Sequence, residues 1–369
     1  MPGPVTHLIC LNETATELMS ENSDIFQVEP KKDEEIGKRK GKSSKMWKGV
    51  DEGISQYAYL GSIFPDIPYC RPEDTKHAAD LFHYNKSGTF IIKLIDYAKG
   101  KGPNKAGKIL MAFICGFISH IACDTIVHPY VNTLAGAYWH QLIHIWPGPP
   151  NYIKELGGFG RWVVSKVSGA SPYTLMHIHM ITEAHQDSWL SNKYFGLDEI
   201  SDAGGVSPSW SGFIDEIGLG WANSITKDTE NLFRDICGCF KEIYGITLEQ
   251  EPLEDSGDDF FEVLDVGYDG AEEPIPDKPS ENLVNYIHRA NDHKFYVEKA
   301  ITLSKTLCKI AIDYYHDRIE KKVIQKYLKN WNLDTGYFIR VKPDNDKKIK
   351  SIHVKFEHSW VNNFGLYDL

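Results

Sequence analysis

The stretch ILMAFICGFISHIACDTIVHPYV, Ile109 to Val131, is apolar all round a helix, which limits it to a membrane span or the centre of a helical core. It is long enough to cross a bilayer, but His120, Asp124 and His128 lie inside it. An aspartate near the middle of a lone span costs about 3 kcal/mol on insertion scales. A helix enclosed by other helices is therefore expected. The three ionisable residues recur every four positions and drift only about 40° per step, so they face one side together. A buried carboxylate between two imidazoles is costly without a partner, and a divalent metal suits all three. Mixed nitrogen and oxygen donors favour zinc over manganese or iron. The competing explanation is three core residues held by hydrogen bonds. Pro129 disfavours helical geometry in the residue before it, which predicts that His128 sits at the helix end.

A second cluster, PYTLMHIHMITEAHQDSWL, places His179 and Glu183 four apart on a predicted helix. Such a pair can chelate one ion from one helical face, with His177, His185 and Asp187 as substitutes or supporting groups. Upstream lie Asp66 in GSIFPDIPY, His83 in DLFHY and His7 in MPGPVTH. Alone, each is ordinary: Asp66 would cap a turn after Pro65, and His83 would pack between Phe82 and Tyr84.

The remaining pattern is helical. Leu303, Leu307, Ile310, Ala311 and Tyr314 fall at helical spacing, and Phe213 to Tyr244 reads the same way. Alternation appears only where SIHVKFEH can pair with GYFIRV across KPDNDKK. The expected architecture is all-α, a helical domain over residues 1–330 followed by a β-hairpin tail over 331–369. Two low-complexity insertions, near 22–48 and 249–281, are expected to be mobile. The second holds thirteen Asp and Glu against one Lys, which accounts for the whole of the chain's net charge of −11 and leaves the rest near neutral. Duplex nucleic acid is not an expected partner, since the one basic run, Lys38 to Lys48, reads as a solvated loop. Seven cysteines, two of them within the apolar run, fit reduced core thiols better than a disulfide framework. The opening residues lack a basic segment followed by an apolar one, so a cytoplasmic chain is expected, with non-classical export left open. Walker and dinucleotide glycine motifs are missing, and His316-Asp317 lacks the further ligands of a His-Asp phosphohydrolase.

Taken in order, His7, Gly61-x3-Pro65-Asp66, His83 in FHY, AFICGFISHIACDTIVHP and His179-x3-Glu183 resemble the zinc-dependent phospholipase C family, including the catalytic domain of glycosylphosphatidylinositol-specific phospholipase D. The resemblance covers roughly residues 1–190 in motifs, and the central His-x3-Asp-x3-His is its most specific part. It implies an all-helical domain holding two to three zinc ions that hydrolyse phosphodiesters through a metal-activated hydroxide attacking phosphorus in line. Asp66, His83, His120 and Asp124 would serve one zinc, and His128, His179 and Glu183 another. Asp124 would bridge to a third, completed by His7 and a terminal amine. Secreted members expose a tryptophan there, whereas this chain reads Met1-Pro2, so removal of Met1 would leave Pro2. Asp66 is the candidate catalytic residue, as ligand, orienter or general base. A phospholipid or other phosphodiester is the expected substrate, with transient membrane-surface contact. Tyr57, Tyr59, Phe64, Tyr69 and Tyr84 would wall a lipid pocket, hold a choline head group, or serve as core. A single-strand nuclease of the same fold and a non-catalytic zinc-stabilised scaffold are the alternatives.

Overall fold

The apolar run forms the centre of a 31-residue helix, Lys105–Ala135, in the computed structural model of the protein. The described residues are 3–21, 52–70, 75–135, 183, 187, 190, 227–257, 260, 290–331 and 333. Their named elements are all helices: α1 (Pro4–Glu21), α2 (Glu52–Ile63), a 3-10 turn (Ile67–Tyr69), α3 (Lys76–Tyr84), α4 (Ser87–Lys101), α5 (Lys105–Ala135), α6 (Lys227–Tyr244), α7 (Ala290–Tyr315) and α8 (Lys321–Tyr327). The fold class is all-α, as the pattern of apolar spacing implies.

Helix α5 is the axis, packed against α1, α2, α4, α6 and α7. Its stretch Lys105–His128 passes a length and hydropathy test for a membrane span, yet its apolar window is entirely buried by protein. All-round apolarity here marks a core helix. One expectation is corrected: α5 does not end at His128 but continues through Pro129 to Ala135. A proline removes one backbone hydrogen bond and costs about 3 kcal/mol inside a helix. The helix accepts that cost where His128 and Val131, on either side, are fully buried.

The tightest contact is between α2 and α5, and glycine makes it. A Cβ on Gly61 would stand 2.0 Å from the Phe113 carbonyl oxygen, and one on Gly116 would stand 1.9 Å from that of Ala58. A glycine on each helix allows the backbones so close. Beneath the junction Phe64 meets Phe113 edge-on at 5.0 Å, while Phe82 meets Phe117 at 5.5 Å and Phe240 at 5.4 Å. Phe240 comes from α6, whose stripe Leu232, Phe233, Ile236, Cys239 and Phe240 is buried. Asp228 and Glu230 in the first turn of α6 and Lys241 in its last match the helix dipole.

The corner between α3 and α4 is latched from two sides. Tyr244 Oη donates to the carbonyls of Asn85 (2.7 Å) and Leu81 (3.2 Å), and the Leu333 amide donates to the His83 carbonyl at 3.0 Å. The acidic stretch begins with helical residues 250–257, which bury Leu253 and Ser256. Residues 22–51, 213–226, 261–289 and 334–369 lie outside the described residues, and with them the first insertion, the rest of the second and the hairpin tail.

Candidate metal centre

Five of the residues singled out in the sequence meet in one buried cluster. His7 comes from the first turn of α1, Asp66 from the turn after α2, His83 from the end of α3, and His120 and Asp124 from the middle of α5. Asp124 Oδ1 lies 3.3 Å from His7 Nε2, and its Oδ2 lies 3.2 Å from His120 Nε2 and 3.4 Å from His83 Nε2. Asp66 Oδ1 is 3.1 Å from His83 Nε2 and 3.8 Å from His120 Nε2, and its Oδ2 is 4.0 Å from His7 Nε2. The rings of His7 and His120 stack with centroids 4.0 Å apart.

The backbone orients two of these imidazoles. His120 Nδ1 lies 2.8 Å from the Ser62 carbonyl oxygen, a contact that the Gly61–Gly116 approach makes reachable one residue further along α2 and one turn further along α5. His83 Nδ1 lies 2.8 Å from the carbonyl of Ala79, one turn back on its own helix. A carbonyl can only accept, so both Nδ1 atoms carry the proton. In the neutral rings both Nε2 atoms are then lone pairs, facing each other at 3.2 Å beside the carboxylates of Asp66 and Asp124. Two lone pairs at that distance repel unless a cation sits against them. The same polarity, Nδ1–H to a carbonyl and Nε2 outward, is the usual arrangement of a metal-bound histidine.

The charges point the same way. Asp66 and Asp124 carry two formal negative charges in a site where His7, His83, His120 and Asp124 are 0 % exposed. Burial pushes the Asp124 carboxyl up, but His120 and then His7 outweigh it and hold the group well below the usual carboxylate range. Among the described residues, two groups have ligand atoms within 4.8 Å of one another: His7, Asp66 and His120, and His83, His120 and Asp124. The donor set therefore fits a divalent cation, with carboxylate and imidazole ligands typical of zinc.

Asp66 does not cap the 3-10 turn that follows it; no side-chain capping bond forms, and the carboxylate turns to His83. Of the five, it alone is touched by solvent, at 5 % exposure. His128 is also fully buried, one turn beyond Asp124 on α5. Glu183 is helical and half-buried, whereas His177, His179 and His185 lie outside the described residues. Phe64, Tyr57 and Tyr59 are core residues, while Tyr69 and Tyr84 are half-buried beside the His83 ring at 5.5 and 5.7 Å.

Asp187, read in the sequence as a substitute ligand or a supporting group, takes a supporting place. Its carboxylate is fully buried against the start of α1, where it accepts from the Val5 amide (2.9 Å), the Thr6 amide (3.0 Å) and the Thr6 hydroxyl (2.6 Å). Burial raises its carboxyl to about 7 against the lowering effect of those three donors, and Glu183 adds to the rise. No local signal announces a cap supplied from 181 residues away. The supporting carbonyl of Ala79 was findable, since it lies four residues before His83 on one helix.

A family model described as zinc-dependent phospholipase C matches residues 42–237, more than half of the chain. The matched span contains Asp66, His83, His120, Asp124, His128, His179 and Glu183 but not His7, which the fold brings to them. No curated protein and no solved structure matches the chain.

Proposed function

Because the chain belongs to the zinc-dependent phospholipase C family, we propose that it is a zinc-dependent phosphodiesterase acting on phospholipids or related phosphodiesters through the cluster around Asp124. The observation that carries this reading is the pair of facing Nε2 atoms of His83 and His120, each with its Nδ1 already committed to a carbonyl. A structural core would protonate these atoms toward Asp66 and Asp124, whereas a metal site uses both as lone pairs.

Zinc bound there supplies Lewis acidity that polarises a phosphoryl oxygen and lowers the pKa of a water. The chain's residues divide the remaining work. Asp124, wholly enclosed and ringed by three imidazoles, supplies the anion that retains positive charge. His83 and His120 hold their rings in one tautomer through Ala79 and Ser62, so no reorientation is needed when a cation arrives. Asp66, on the solvent side of the cluster, is the carboxylate able to meet substrate and to take or orient a proton there. His128, His179 and Glu183 complete the set in this reading, and the phosphodiester of a lipid is the preferred substrate. Half-buried Tyr69 and Tyr84 flank His83 where a head group would enter.

The test is elemental analysis of the purified chain together with a panel of phosphatidylcholine vesicles, a chromogenic phosphodiester and single-stranded DNA, each with and without chelator. The expected outcome is bound zinc and chelator-sensitive turnover of the first two. Zinc without turnover of any substrate would leave a scaffold; turnover of DNA alone would make the chain a nuclease.

A further inference from the structure

Resting on the metal-centre reading above, we propose that Asp187 is a positioning residue that holds His7 in the metal centre by capping α1 from a distant segment. The first four amides of a helix have no partner within it, and they are ordinarily satisfied by a side chain just upstream. Upstream of α1 stands Gly3, which has no side chain to offer and whose carbonyl shares the Thr6 amide at 3.0 Å but leaves that of Val5. The cap comes instead from Asp187, whose two oxygens divide Val5 and Thr6 between them while one also takes the Thr6 hydroxyl.

The fit admits little else. A Cβ on Gly3 would fall 2.1 Å from Asp187 Oδ2, so glycine makes room for the carboxylate. His7 follows Thr6 directly, and its ring leaves this clamped turn to stack on His120 and to reach Asp124 at 3.3 Å. Its Nδ1 has no hydrogen-bond partner among the described residues, so no carbonyl orients the ring as Ser62 and Ala79 orient His120 and His83. The ring's place on His120 then depends on where the helix end sets the His7 backbone. Asp187 also lies one helical turn after Glu183, and residues 183, 187 and 190 are helical with Asp187 and Leu190 fully buried. One carboxylate thus ties the helix bearing His7 to the segment bearing Glu183.

The experiment is a cobalt(II) titration of the metal-free full-length chain, read by bound equivalents and by visible absorption, which responds to the number and identity of ligands. His7→Ala defines the component that depends on His7. Asp187→Asn is expected to reproduce that altered spectrum and to weaken one cobalt equivalent by tenfold or more, at a temperature where circular dichroism shows the helices intact. Should Asp187→Asn fail to fold, Thr6→Val and Thr6→Ser decide: the valine variant shifts toward the His7→Ala spectrum, and the serine variant, which keeps the hydroxyl, keeps the wild-type one. A folded Asp187→Asn chain, or a Thr6→Val chain, with wild-type cobalt stoichiometry, affinity and spectrum overturns the proposal even if its thermal midpoint is lower. A wild-type chain that binds no cobalt overturns the metal-centre reading and this inference with it.

Discussion

Asp124 and Asp66 are the same chemical group in two environments, and their substitutions separate retention of metal from use of it. Asp124 is wholly buried and lies within 3.4 Å of three imidazole nitrogens. Asp124→Ala removes the anion that three separate helices share through their histidines, and removing one partner from a buried charge cluster costs about 3–5 kcal/mol. Zinc content and denaturant midpoint should therefore both fall, measured by elemental analysis and by circular dichroism. Asp66→Asn keeps the size of the side chain and one oxygen at the solvent edge. Its expected signature is a kcat lowered by about 100-fold or more, with zinc content and midpoint near wild type, as for loss of a group that handles a proton. Equal zinc loss in both variants would deny Asp66 a role distinct from that of Asp124.

At the scale of elements, the site depends on how closely two helices approach. Gly116→Ala puts a methyl group 1.9 Å from the Ala58 carbonyl oxygen, so α2 must move away from α5 and take the Ser62 carbonyl from His120. Overpacking of this kind costs about 1–3 kcal/mol. Zinc affinity should fall with it although no ligand has changed, which competition with a chromogenic chelator would measure. This dependence also explains what the sequence could reveal. The identity of α5 was readable because an apolar run with ionisable residues every four positions has few other interpretations. Its end was not, because a proline's local preference cannot report the burial of His128 and Val131 on either side of it. Gly61 was visible as part of a motif, but its purpose lies in the carbonyl of Phe113, more than fifty positions away. The cap on α1 was invisible for the same reason: the sequence offered Asp187 as a substitute ligand or supporting group beside Glu183, and nothing local to it pointed to Val5 and Thr6.

Across the whole molecule, the cluster gathers side chains from α1, the turn after α2, α3 and α5, so no short segment contains the site. Such a site is absent from the unfolded chain, and ligand binding to it adds directly to folding stability. With free zinc about a thousandfold above its Kd, the gain is about 4 kcal/mol. Removing zinc with a chelator should lower the thermal midpoint by about 5 °C or more, since each kcal/mol is worth about 2–4 °C in a chain of 150–250 residues and somewhat less in a longer one. Zinc should restore it, and magnesium should not, because imidazole and carboxylate donors at these positions suit zinc better than an oxygen-seeking ion. The Asp124→Ala chain supplies the control. It should melt lower than wild type in zinc and show little further change on chelation, because its metal is already lost. A wild-type midpoint indifferent to chelator and zinc alike would mean that hydrogen bonds alone hold these residues. The facing Nε2 atoms of His83 and His120 would then need a proton between them rather than a metal, and the case for phosphodiester hydrolysis at this site would lose its physical basis.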